Sequence, residues 1–372
     1  MEDLFYELML VALGNRKTLS RNPSGQEWRW LFLSCQKQAI VAFVFPSLDK
    51  LSKAGQKVPV GLVYEWLAQS EQIKQQNELM NYEAARLTKI FEDEGHKTAI
   101  LKGQANARLY SHPWSRHPGD IDVWVDGGKE KVIETVKRVG LLREKIAKYW
   151  VDGDATMSPH HIHLPKNENG IDVEVHYRPS SGNVNPFTNR RLQNILEEEI
   201  NKENELTPEG FRVPSPKFAL VMQLAHIQRH LVREGVGMRQ VIDYYYLLKA
   251  DDNKQRDDVF YRLSSLGLKH IAEALMWVLH EKLGLEDEYL IAPMDERRGK
   301  MLLQKIMEGG NFGHYYPDKK HGLRQRIIAK NKHRIQMFRF DFSEAFWIEL
   351  KYFTFILKTI PARIIRRRWS LE

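Results

Sequence analysis

Two aspartates stand one residue apart in "HPGDIDVWV", His117 to Val125. Strand alternation sends Asp120, Asp122 and Trp124 to one face and Ile121, Val123 and Val125 to the other. The second face is core. The first carries two like charges roughly 6–7 Å apart, a spacing made tolerable by water or a cation between them. A hard divalent ion such as Mg²⁺ takes carboxylate and phosphate oxygens together and keeps several waters. A second run, "GIDVEVHY", repeats the device, with Ile171, Val173 and Val175 alternating with Asp172, Glu174 and His176. If this run lies beside the first, apolar face inward, a third carboxylate joins Asp120 and Asp122. Three convergent carboxylates meet the requirement of a two-metal site that clamps the attacking and leaving oxygens of a phosphoryl displacement. Asp172 and Glu174 project to the same face, so both are candidates for the third acid.

Other constellations carry less. "DIDVWVDGGKE" is not an EF-hand, because Trp124 takes a ligand position and the glycine falls one place late. Of His160, His161 and His163, only the last two share a face, and no cysteine is near to complete a tetrahedral zinc set. They read as polar side chains facing a cleft. "HIQRH" (226–230) has the histidine spacing of a metalloprotease helix, but Ile227 stands where a glutamate is required.

The elements that must position the acids follow from pattern. Residues 1 to about 92 read as helical, including one helix over 59–95 ended by Gly95. "KTAILKG" is a short strand ending in Gly103, "QANARLYSH" a short helix, "PWSRHPG" a loop, "DIDVWV" a strand and "GGKEKVIETVKRVG" a helix. In "HHIHLPKNENGIDVEVHY" two period-2 runs are joined by Asn169-Gly170, a hairpin signal. After Pro179 the helical pattern returns. Ser215-Pro216 caps a helix running to about Val232, and further helices are expected near 237–250, 256–283, 296–308 and 321–359. The expected class is α+β: a small mixed sheet at 93–180 between helical regions at 1–92 and 181–372.

The net charge of +8 is concentrated at one end. Residues 311–372 hold 14 Lys/Arg against 5 Asp/Glu, so the rest of the chain is close to neutral. A uniformly basic protein would suggest nucleic acid as an obligate partner, but here the excess is confined to the tail. It leaves the basic tail, with "RIIRRRW" at 363–369, as a solvated helix or as a surface for an anionic partner, lipid or RNA. One cysteine, Cys35, allows no internal disulfide. The N-terminus lacks the basic region and cleavage site of a signal peptide, and the longest apolar run, residues 39–45, is far short of the ~20 residues of a membrane span. A cytoplasmic protein is expected, with the tail available for attachment at a membrane surface.

The ensemble "ILKGQANARLY…SRHPGDIDVWV…VEVHYR" resembles the nucleotidyltransferase core of the DNA polymerase beta superfamily, and within it the bacterial proteins grouped as uncharacterised nucleotidyltransferases. Lys102, Gly103, Tyr110, Arg116, Gly119, Asp120, Asp122, Glu174 and His176 carry the likeness, well over about 97–178 and more loosely over 216–245. The resemblance implies that Asp120 and Asp122 hold two Mg²⁺ or Mn²⁺ ions. Glu174, favoured over Asp172 by its acid-x-His spacing, would complete the ion that activates an acceptor hydroxyl. Gly103 would let the backbone approach a triphosphate. The superfamily usually has Gly-Ser or Gly-Gly at this turn, whereas here Gln104 follows Gly103 and could still donate a hydrogen bond. Leaving pyrophosphate needs positive charge, for which Lys102 and Arg116 are candidates; the alternative is a local ion pair with the aspartates. His226 and His230, with Arg239 and Asp243 on the next helix, would form a wall contacting base or acceptor, or else two packed histidines and an intrahelical i, i+4 ion pair. The implied function is transfer of an NMP group from an NTP to an acceptor the sequence does not identify. The alternative is an inactive nucleotide- or RNA-binding module of the same fold.

Overall fold

A computed structural model describes residues 1–142, 155–202, 204–250, 253–316 and 323–369. Four helices open the chain: α1 (Glu2–Leu13), α2 (Gly25–Lys37), α3 (Val41–Lys53) and α4 (Val60–Asp93). The α/β segment follows as β1 (Thr98–Ile100), α5 (Gln104–Ala107), β2 (Ile121–Val125), α6 (Gly128–Arg138), β3 (Thr156–Met157), β4 (His161–His163) and β5 (Val173–His176). Then come α7 (Pro186–Ile200), a two-stranded ribbon of β6 (Glu205–Leu206) and β7 (Arg212–Val213), α8 (Pro216–Arg233), α9 (Met238–Ala250), α10 (Asn253–Arg262), α11 (Lys269–Leu283), α12 (Glu296–Gly309), α13 (Leu323–Phe340) and α14 (Phe342–Trp369).

The main sheet has the order β1-β2-β5-β4-β3. Its central pair, β2 and β5, is parallel and every other pairing is antiparallel. Alternation does what the sequence requires. Ile121, Val123, Val125, Val173, Val175 and Ile162 turn to one face and join Met80, Ala84, Leu87 and Phe91 of α4 and Val132 and Val136 of α6 in a buried core. Helix α4 spans about 50 Å at 1.5 Å per residue, and its first half packs Leu62, Trp66 and Ile73 into a second, helical core. That second core takes side chains from α1–α3, α7–α9, α11 and α12, and Trp124 reaches it from the opposite face of β2.

Three expectations need correction. The β4–β5 hairpin does not turn on a two-residue Asn-Gly loop. Asn167 N–H bonds Ile171 O at 3.2 Å, its Oδ1 accepts from Asn169 and Ile171 N–H, and only Gly170 takes a positive φ, so the loop has three residues. The helix expected over 256–283 is two helices, parted by Gly267 at φ +69. The segment 321–359 is likewise two, because Asp341 Oδ1 accepts Glu344 N–H at 3.1 Å and caps a new helix start. By contrast, Ser215 caps α8 as its position suggests, accepting Phe218 N–H at 3.2 Å.

Candidate active site

The parallel register sets Asp122 opposite Glu174 and Trp124 opposite His176, while β4 sets His163 beside Glu174 and His161 beside His176. The polar face of the sheet is therefore a patch of acids and imidazoles. Asp120, Asp122 and Glu174 each offer an oxygen, and these three oxygens lie within 4.8 Å of one another. Asp172 is left outside this group. It is half-exposed, 3.4 Å from Lys166 Nζ, and its main service is a backbone one, its carbonyl accepting Ile121 N–H.

Positive groups fill the space between the acids. Lys102, where β1 ends, puts Nζ 2.6 Å from Asp122 Oδ2 and 3.2 Å from Asp120 Oδ1. Burial alone would lower the Lys102 pKa, but Asp120, Asp122 and Glu174 outweigh it and raise it. Burial and the Asp120 charge push Asp122 up, against Lys102 and His176. Asp120 ends below its ordinary value, because Lys102 overcomes the cost of burial. Glu174 is half-buried; desolvation would raise it, but its bonds with His163 and His176 carry it well below the carboxylate range. His176 Nε2 lies 3.0 Å from Asp122 Oδ1 and 3.2 Å from Glu174 Oε2, and His161 Nδ1 lies 3.1 Å from the same Glu174 oxygen. Two of the acids thus pair with a lysine ammonium, on which Glu174 acts from longer range. A set of oxygens this close, gathered about a positive charge, suits a hard divalent ion.

The strand end and the loop before β2 are held by long-range bonds. Gly103 takes φ +66 and ψ −106, open only to glycine, and a Cβ there would stand 3.5 Å from Asp120 O. Asn77 of α4 donates to Trp114 O and Arg116 O, both at 2.8 Å. Arg239 Nη1 donates to His117 O at 3.0 Å and Pro118 O at 3.2 Å, and the guanidinium lies 5.2 Å from the Phe312 ring. Arg116 is buried against Asp243 in a two-pronged pair, Nε to Oδ1 at 2.7 Å and Nη2 to Oδ2 at 2.9 Å, with Tyr110 Oη donating to Oδ1 at 2.8 Å. The intrahelical Arg239–Asp243 pair is therefore absent, each residue serving the loop instead. Arg116 pairs with neither site aspartate and is not among the residues lining the cleft. Nor is Gln104, whose amide donates to Asn77 and Asn81 of α4.

The acid patch opens into a cleft of about 1850 Å³ lined by Lys102, Gly119, His176, His226 and His230 among others. His226 and His230 are ring to ring at 4.2 Å. Burial, with His230, Lys102 and Arg239 nearby, holds His226 well below its usual range and neutral. Among the cleft residues that escaped the sequence reading are two arginines of α8. Arg229 and Arg233 follow His226 at i+3 and i+7, a spacing that was visible.

His176 gives the site a measurable signature. Burial would lower its pKa, yet the bonds to Asp122 and Glu174 raise it from 6.5 to about 9. A histidine raised on folding stabilises fully below pH 6.5, and that contribution is lost as pH climbs through 9. The metal-free protein is expected to lose melting temperature across this window. Mn²⁺, replacing the lost positive charge, should raise it by an increment that grows with pH. His176→Gln should flatten the fall; an unchanged slope in thermal melts of that variant would remove this account.

Comparison with known proteins bears on the same residues. No curated protein matches the sequence. A family model described as "Uncharacterised nucleotidyltransferase" matches residues 24–284, more than two thirds of the chain and inclusive of every acid and base of the cluster. On that match the chain belongs to this uncharacterised nucleotidyltransferase family.

Proposed function

We propose that the protein moves a nucleotidyl group from an NTP to an acceptor, using divalent ions held by Asp120, Asp122 and Glu174. The observation that carries this reading is the meeting of those three carboxylates on the lining of a large cleft. A pure binding module gains nothing from keeping such repulsion. Bound Mg²⁺ or Mn²⁺ would supply Lewis-acid stabilisation of the reacting phosphate and lower the pKa of the attacking hydroxyl. The acceptor oxygen forms a bond to the α-phosphorus, the bond to the bridging oxygen breaks, pyrophosphate leaves and the hydroxyl proton passes to solvent. Lys102 answers charge growing on the departing phosphates, whereas Gly103 is not among the residues lining the cleft. His176 and His163 fix the direction of Glu174. Residues 93–180 form the catalytic unit and the helical regions on either side wall the cleft.

Pyrophosphate release is the direct test. Each of the four NTPs is incubated with the protein and Mg²⁺ or Mn²⁺ over a panel of hydroxyl and phosphate acceptors. Release dependent on one acceptor is expected. No release anywhere, with NTP binding retained, would establish the binding module instead.

The C-terminal helix supports a second, compatible reading, contact with an anionic lipid surface. Phe342, Phe346, Leu350, Phe353 and Leu357 of α14 follow at spacings of 4, 4, 3 and 4, making one stripe, and all are exposed. The sequence continues into Arg363, Arg366, Arg367 and Arg368, whose side chains lie outside the described residues. Apolar stripe plus arginines is the composition of a helix that lies in a membrane interface. No helix among the described residues is long and apolar enough to cross one. Co-sedimentation with vesicles containing one-third phosphatidylglycerol should fall at least tenfold in Phe346→Ser/Phe353→Ser and on deleting residues 360–372. Equal sedimentation of the variants, or retention of RNA in place of vesicles, would remove the lipid assignment.

A further inference from the structure

The cleft exceeds what one nucleotide fills. Small-molecule sites occupy about 300–1,000 Å³, and this one has about 1850 Å³. Helix α8 supplies one of its walls. His226, Arg229, His230 and Arg233 succeed one another at i, i+3, i+4 and i+7, hence on a single helix face, and all four line the cleft. Arg229 is partly buried, and its Nη1 donates to Gly182 O at 3.3 Å, in the loop that leaves β5. Ser180 and Ser181 of that loop also line the cleft.

Neither arginine of this wall is in direct contact with a carboxylate of the described residues, although Glu234 and Glu344 act on Arg229 from longer range. Glu234 is occupied by His230 at 2.9 Å, and Glu349 by Arg334. Among the described residues no carboxylate lies within 4.0 Å of either Arg229 or Arg233. Two guanidiniums one helical turn apart repel each other, and burial together with Arg233 brings Arg229 down to about 10 against the opposing pull of Glu234 and Glu344. Arginine forks match the oxygens of phosphate in paired hydrogen bonds, and serine hydroxyls can add to them. On the nucleotidyl-transfer reading the triphosphate would be answered elsewhere, by Lys102 and by ions that Asp120, Asp122 and Glu174 would hold.

We propose that Arg229 and Arg233, with the Ser180–Ser181 loop, form a second subsite that holds a phosphate of the acceptor, so that the acceptor is a phosphomonoester. Calling that ligand an acceptor rests on the nucleotidyl-transfer reading; the phosphate site does not.

The test uses the full chain saturated with Mg²⁺ and α,β-methylene-ATP, titrated calorimetrically with inorganic phosphate and with glycerol 3-phosphate. Both are expected to bind with the nucleotide analogue in place. In Arg229→Ala/Arg233→Ala their Kd should rise at least tenfold while that of the analogue stays within twofold. Arg229→Lys/Arg233→Lys keeps the charge without the fork and should lose a smaller, roughly threefold, share, with an unchanged thermal melt. The proposal is overturned if the analogue displaces phosphate, if the alanine pair weakens the analogue as much as phosphate, or if phosphate affinity ignores the arginines. Failure of the α,β-methylene analogues of all four NTPs to bind, with arginine-dependent phosphate binding intact, would leave the subsite standing and remove the transferase reading.

Discussion

Asp122→Asn is expected to lower pyrophosphate release by at least about 10³-fold, equivalent to roughly 4 kcal/mol of transition-state stabilisation. That is within the several kcal/mol that a correctly held divalent ion contributes. Asparagine has the shape of aspartate, so packing at this buried position is preserved. What changes is the charge, together with the replacement of one oxygen by an amide NH₂ that would face a cation. Asp122 is the acid through which the cluster is joined, since Lys102 lies 2.6 Å from one of its oxygens and His176 3.0 Å from the other. Stability should move little. The substitution relieves repulsion with Asp120, which helps push the Asp122 pKa up, and forfeits attraction to Lys102 and His176, which pulls it down. A second readout needs no turnover: Mn²⁺ affinity, followed by its electron paramagnetic resonance signal, should weaken at least tenfold. A variant working within tenfold of the wild-type rate would dissolve the metal-centred reading.

How much of this site the sequence disclosed depends on the range of the interactions involved. Period-2 alternation is local, so it identifies the apolar faces of β2 and β5 and the acids opposite them without reference to any partner. It cannot say which acid of β5 comes level with Asp122, because register belongs to the pair of strands. Hydrogen bonding sets Asp122 against Glu174 and leaves Asp172 at the rim. Helix interruptions show the same division. Pro216 and Ser215 announce a helix start, whereas a cap such as Asp341 inside an otherwise helical run is easily read through.

Charge pairing was the least legible part. Arg239 and Asp243 have the spacing of an intrahelical pair, and on an exposed helix that would be the natural expectation. Both are instead buried, and a buried charge takes whichever partner tertiary packing delivers. For Asp243 that partner is Arg116, 127 positions away in the chain. For Arg239 it is a pair of loop carbonyls. Spacing on one helix carries no information about either. Arg229 and Arg233 are a different case: their common face was visible, but the significance of two cations without an acid in direct contact appears only when the facing elements are in place.

Arg116→Met is expected to cost about 3–5 kcal/mol of folding stability, the usual penalty for removing one partner of a buried ion pair. Arg116 and Asp243 are 5% and 1% exposed, so water cannot replace the lost bonds. The Asp243 carboxylate would keep only the Tyr110 hydroxyl, at 2.8 Å. Removing the acid as well, in Arg116→Met/Asp243→Leu, eliminates the stranded charge and should recover a large part of the loss. It will not recover all of it, because Tyr110 then lacks its acceptor. Chemical denaturation of the two variants and the wild type measures both quantities. Equal destabilisation of the single and double variants would show that the pair acts by packing and not by charge. The pair also bears on chemistry, since it holds the loop whose far end is Asp120. Asn77 and Arg239 grip the same loop through carbonyls at 114, 116, 117 and 118. The double variant, folded but missing one of three restraints, is therefore expected to bind Mn²⁺ more weakly than the wild type even where its stability has been restored. That separation of fold from site would identify the Arg116–Asp243 pair as the element that aims the first aspartate.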